Sequence, residues 1–198
     1  MIQLRDRVIE NEKIYLGKDD AYYLGPNLHL KHCELELRTD ARALTITKVV
    51  IEASHISAAQ KLSEFQWYYS WIKECRFTGK FSGCDFGHWP EDDPSTGGIE
   101  SCDFSGAILD GCRFLDCDAS TLRFPKWPCF TILNPIGNLE RMSAKPWPAR
   151  TGVILKTFST YPPRAAAVSW IAPEIVKRFG SSLEEFRAFL EEFDNVIL

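Results

Sequence analysis

Apolar residues in the middle of this chain recur at a step that is neither helical nor strand-like. Between 102 and 124, Cys102, Ala107, Cys112, Cys117 and Leu122 share one phase of a five-residue period. Phe104, Leu109, Phe114, Ala119 and Phe124 share a second phase, two residues further on. At an apolar fraction of 45%, ten such positions would all be apolar by chance in about 3 of 10,000 trials. The step reappears upstream, with slips between runs. Leu28/Leu30 lead to Cys33/Leu35. Leu44/Ile46, Val49/Ile51 and Ser54/Ile56 follow, then Phe65/Trp67, Ser70/Ile72 and Cys75/Phe77. After a one-residue deletion come Gly79/Phe81 and Cys84/Phe86.

A step of five implies a backbone that turns a corner every five residues and sends two apolar side chains inward per side. Within a unit, Cys112-Arg113-Phe114 alternates inward, outward, inward, as a strand does. Arg113 is therefore expected outside and expendable, and Phe114 inside. Gly79, Gly83, Gly106 and Gly111 fall at or near the corners, where a tight turn or positive φ suits glycine. The object predicted is a solenoid whose coils stack at strand spacing.

CDFSG at 102–106, CRFLD at 112–116 and CDFG at 84–87 resemble the pentapeptide-repeat family. That resemblance implies a mainly β protein, a right-handed quadrilateral β-helix with four units per coil. It is carried most clearly by 75–86 and 102–124. The expected organisation is an N-terminal cap over 1–27, the β-helix over 28–124 with an inserted loop at 87–99, an extended Pro/Trp-rich wrap over 125–164, and C-terminal helices over 165–198. Within the wrap, Gly152 to Phe158 reads as a strand. Ala165 to Phe179 reads as a helix with Pro173 early in it, stopped by Gly180. Ser181 and Ser182 ahead of Glu184 and Glu185 form a capping box for a last helix. Its apolar face of Leu183, Phe186, Phe189, Leu190 and Phe193 should cover the open end of the solenoid.

The 198 residues carry a net charge of −4, which argues against a basic nucleic-acid-binding surface. No apolar run reaches the length of a membrane span, and Arg5, Asp6, Arg7, Glu10 and Glu12 break up any signal-like stretch. A cytoplasmic location is expected. The seven cysteines contain no CxxC pair, and Cys102, Cys112 and Cys117 sit where a thiol serves as a small apolar group. His29, His32 and Cys33 could offer metal ligands, but on a strand 29 and 32 point to opposite faces. His55 and His88 stand apart. No nucleophile, zinc or phosphate-loop motif occurs. The expectation is a non-enzyme with no cofactor and no metal.

What remains is a binding surface. Loop 87–99 sets Trp89 beside Glu91, Asp92 and Asp93, an aromatic in an acidic rim suited to a basic partner. With Trp67 in the inward phase, Tyr68 and Tyr69 or Trp71 should lie partly outside. By analogy with the family, the chain is expected to be a bacterial immunity protein that neutralises a cognate toxin. The alternatives are a DNA mimic that binds a topoisomerase, or a small β-helix enzyme acting on carbohydrate. The partner is a protein with a basic surface, with neither nucleic acid nor membrane bound directly.

Overall fold

The five-residue step survives as geometry. The computed structural model describes residues 1–93 and 95–198. Parallel strands stack into a β-solenoid of about four turns. Its first wall contains Ile2–Leu4, Tyr22–Leu24 and Leu44–Ile46. The second is built from Arg7–Glu10, Leu28–Lys31, Val49–Glu52, Ser70–Lys73 and Gly98–Glu100. The third is built from Lys13–Leu16, Glu34–Leu37, His55–Ser63, Arg76–Ser82 and Asp103–Asp110.

Register lines up like with like. Ile9, Leu30, Ile51, Ile72 and Ile99 form one buried column. Trp67, Phe86 and Phe114 form another, their rings nearly parallel at centroid distances of 6.0 and 5.2 Å. Phe77 lies on Phe104 at 4.4 Å. Thiols fill the narrow places between: Cys75 Sγ donates to the Ile51 carbonyl (3.4 Å), and Cys112 Sγ to that of Phe81 (3.4 Å). Burial holds the Cys112 thiol above its ordinary pKa and pushes Cys117 up to about 12, while the neighbouring Cys75 thiol, and then burial, raise that of Cys102. Cys75, Cys102 and Cys112 are buried and fill space as small apolar groups.

The corners use backbone conformation more than glycine. Asn11, His32, Ala53, Glu74 and Ser101 all have φ between 52 and 57° or, at Ala53, 46°. Each of the first four donates its amide to the next coil: His32 to the Glu52 carbonyl (3.1 Å), Ala53 to that of Lys73 (3.0 Å). Left-handed backbone at this corner lets the chain turn while the coil-to-coil hydrogen bonds continue. His32 is thus a corner residue and not, as the sequence suggested, a strand residue opposed to His29.

Residues 1–27 are not a separate cap but the first coil and the start of the second: Ile2, Arg7 and Lys13 begin strands paired with Tyr22–Leu24, Leu28–Lys31 and Glu34–Leu37. The inward phase is disguised there by charge. Arg7 stands at the register position of Leu28, and the Glu12 carbonyl accepts from the amide of Glu34, one residue after Cys33. Charges at those positions on an unpaired edge discourage further strand addition.

The far end is covered by an appended unit over 125–198, which differs from expectation in three places. Residues 125–164 are not an extended wrap. They contain a strand at Cys129–Leu133, a short helix at Leu139–Ser143 and a 3₁₀ helix at Thr151–Thr160. The strand expected at 152–158 is part of that 3₁₀ helix. Thr157, Ser159 and Thr160 hydroxyls donate to carbonyls three residues back, and Thr151, Ile154, Leu155 and Phe158 bury one side. Finally, Ala165–Ile171 is a strand, antiparallel to Cys112–Leu115 on one side and Cys129–Leu133 on the other. Pairing on both edges and burial on both faces override its alanine-rich helical propensity.

Helix Ala172–Phe179 follows, with Pro173 in its first turn and Gly180 ending it at φ 83°. In the last helix, Leu183–Leu190, Ser182 caps by accepting from the Glu185 amide (3.1 Å). Phe186, Phe189, Leu190 and Phe193 are buried, whereas Leu183 is exposed. They pack with Phe130, Ile132, Met142 and Phe158 in a second core. The open end of the solenoid is covered by strand Ala165–Ile171 instead.

Candidate functional site

Loop 88–97 leaves the solenoid at strand Asp85–Gly87 and returns at Gly98–Glu100. Its return passes close beneath an aromatic segment. A Cβ on Gly97 would stand 2.1 Å from the Tyr68 carbonyl oxygen, and one on Gly98 2.4 Å from the Trp71 ring. Only glycine allows that approach. The loop is then fastened from several sides. Trp71 Nε1 donates to the Ser95 carbonyl (3.2 Å), and the His88 amide to that of Leu115 (2.9 Å). Asp93 accepts from the Ser95 amide (2.9 Å), which holds its carboxyl below the usual carboxylate range.

The seven residues singled out from the sequence therefore meet, though on different terms. Tyr68 is buried, 6% exposed, where the sequence suggested partial exposure. Its ring lies between Tyr69 at 4.5 Å and Trp89 at 5.2 Å, and burial raises its phenol pKa. It is the foundation of the cluster. Tyr69 and Trp71 stay 38% and 42% exposed, and Trp89 is half-buried. Of the acids, Glu91 and Asp93 reach solvent, while Asp92 is half-buried with Oδ2 unpaired among the described residues.

An acidic cleft of about 450 Å³ continues this surface, walled by Trp71, His88, Glu100, Asp116 and Asp118. Asp116 already holds a guanidinium at its edge, accepting from Arg164 Nη1 (2.6 Å). No sequence motif pointed to this cleft, because its acids come from two different coils. Among the described residues, no group of three His, Cys, Asp or Glu could hold a metal ion. His29 instead lies on the outer wall within 3.2 Å of Glu52, and His55 within 2.8 Å of Thr78.

A second concavity also went unread. It is a crevice of about 1000 Å³ between the solenoid and the appended unit, bordered by Asp110, Arg113, Tyr161, Trp170, Glu174 and Arg178. Burial raises the Asp110 pKa. Arg113 is committed to Asp85, and the crevice mixes charges of both signs, which gives it no single ligand chemistry.

The architecture defines a β-solenoid closed by an α/β unit and carrying one aromatic-acidic corner. No protein-family model, curated protein or solved structure matches the chain.

Proposed function

We propose that this is a non-catalytic protein-binding module of the pentapeptide-repeat kind, acting as an immunity protein that blocks a cognate toxin by direct binding. The reading rests above all on one observation: Trp89, Tyr69 and Trp71 share a buttressed surface with Glu91, Asp93 and the acidic cleft behind them. Aromatic anchors set on a rigid base within a negative rim suit a partner that presents Arg or Lys. The loop is preorganised by hydrogen bonds to the coils, which lowers the ordering cost of binding.

The topoisomerase alternative has less support. A DNA mimic needs a continuous negative wall. Here the outward positions of the second wall run Glu10, Lys31, Glu52, Lys73, Glu100, alternating in sign from coil to coil.

The test is a titration against the purified protein encoded beside this one in its native genome. Trp89→Ala and the double reversal Glu91→Lys/Asp93→Lys should each weaken binding by about tenfold or more, the scale of a hot-spot loss. Melting temperatures should hold. Unchanged affinity in both variants would remove the corner from the interface.

A further inference from the structure

We infer that the second wall of the solenoid is a self-association surface, and that a second copy of this chain docks on it about a two-fold axis lying along the strands. Two outward columns run up this wall. One is apolar apart from one imidazole: Val8, His29, Val50, Trp71. Val8, Val50 and Trp71 are 60%, 38% and 42% exposed. The other is the alternating series Glu10, Lys31, Glu52, Lys73, Glu100. Neighbours in that column stand one strand spacing apart, yet they do not close on one another. Glu52 turns to His29 and Lys73 to Glu74. Glu10, Lys31 and Glu100 have no ion-pair partner within 4 Å among the described residues.

The alternation selects an offset of one coil. A two-fold axis along the strands lays each column over its own copy and reverses the coil order. With all five strands of the wall in register, Glu10 would face Glu100 and Lys31 would face Lys73, like on like. Sliding by one coil puts the axis either between the third and fourth strands, which would press the loop-bearing strand Gly98–Glu100 against the second copy, or between the second and third, which is the arrangement inferred. Glu10 then faces the second copy's Lys73, and Lys31 its Glu52, each pair occurring twice. In the same step Val8 faces Trp71, and His29 faces Val50. The offset also carries strand Gly98–Glu100 past the second copy's first coil, which leaves the loop at the rim of the contact, where Ser95 meets Trp71. Four strands at about 4.8 Å spacing bury roughly 1,000 Å² in total. That is the low end for a specific interface, so the dimer should depend on concentration.

This goes beyond the partner reading and is tested apart from it, at Lys31 and Glu52 rather than at Trp89, Glu91 and Asp93. Sedimentation velocity over about 1–500 μM should show a monomer–dimer equilibrium in the wild type. Lys31→Glu and Glu52→Lys should each weaken it by at least about tenfold. The double swap Lys31→Glu/Glu52→Lys should restore it, since the facing pair is again opposite in sign. Glu10→Lys and Lys73→Glu provide an independent second pair with the same expected loss and rescue. Far-ultraviolet dichroism confirms that each variant is folded. A wild type that stays monomeric throughout, single reversals without effect, or double swaps as monomeric as the singles would each overturn the proposal. Trp71 belongs to both surfaces, and the two readings are separated by the substitutions: the charge swaps leave Trp71, Trp89, Glu91 and Asp93 in place, so lost dimerisation with partner affinity kept bears on this proposal alone.

Discussion

Arg113 grips Asp85 with two parallel hydrogen bonds, Nε to Oδ1 at 2.6 Å and Nη2 to Oδ2 at 2.7 Å. The two residues are register partners on adjacent coils, and the Asp85 side chain is only 8% exposed. The Tyr161 ring lies 5.6 Å from the guanidinium. Pairing with Asp85 raises the Arg113 pKa. One outward residue thus joins two coils to the appended unit, and the expectation that it is expendable does not hold.

Arg113→Ala leaves a nearly buried carboxylate without its partner. It should cost about 2–4 kcal/mol in urea unfolding, close to the 3–5 kcal/mol expected for Phe114→Ala through lost aromatic packing. Asp85→Asn/Arg113→Ala should cost clearly less than the two single changes summed, because the stranded charge is gone.

The corner at Ala53 offers a gain in stability. Its φ of 46° costs an L-residue about 1 kcal/mol, while glycine adopts it freely. Part of that gain is offset by the entropy of glycine in the unfolded chain. Ala53→Gly should raise the melting temperature modestly, by up to about 1 kcal/mol in stability. Ala53→Val should lower it, because a β-branched side chain tolerates left-handed backbone worst.

Asp110 gives a pH signature. Burial raises its folded-state pKa above the unfolded value, so between the two values the folded chain binds more protons than the unfolded one. Stability from this group is present below the ordinary carboxylate range and falls as pH rises through the folded value. Asp110→Asn should therefore be more stable than wild type at neutral pH, and the advantage should vanish near pH 3. Urea midpoints measured from pH 3 to 8 would show the two curves converging at the acid end.

How much was legible depended on whether a residue's role was local. The inward phases from Leu28 to Phe124 were readable because every coil repeats the same requirement, a small and a large apolar group per side. One slip was also readable as structure: the deletion before Phe81 is the register shift between Gly79 and Phe81. The first coil was hidden because Arg7 and Glu12 hold inward-phase positions. In the appended unit local propensity misled. Ala165, Ala166 and Ala167 favour a helix, but their strand is set by partners at Cys112–Leu115 and Cys129–Leu133, remote in sequence. The aromatic-acidic corner was visible as composition. Its cleft was not, since Glu100 and Asp116 meet only once the chain has gone round the solenoid.

The five-residue cadence sends the cysteines inward, and thiol labelling tests this most directly. Six of the seven cysteines are buried, and Cys117, the exception, has a pKa raised to about 12. A maleimide or disulfide reagent applied to the native protein at neutral pH, with mass spectrometry to locate the label, should modify Cys117 slowly and the others only after denaturation. Prompt labelling of Cys75, Cys102 and Cys112 in the native state would contradict the solenoid.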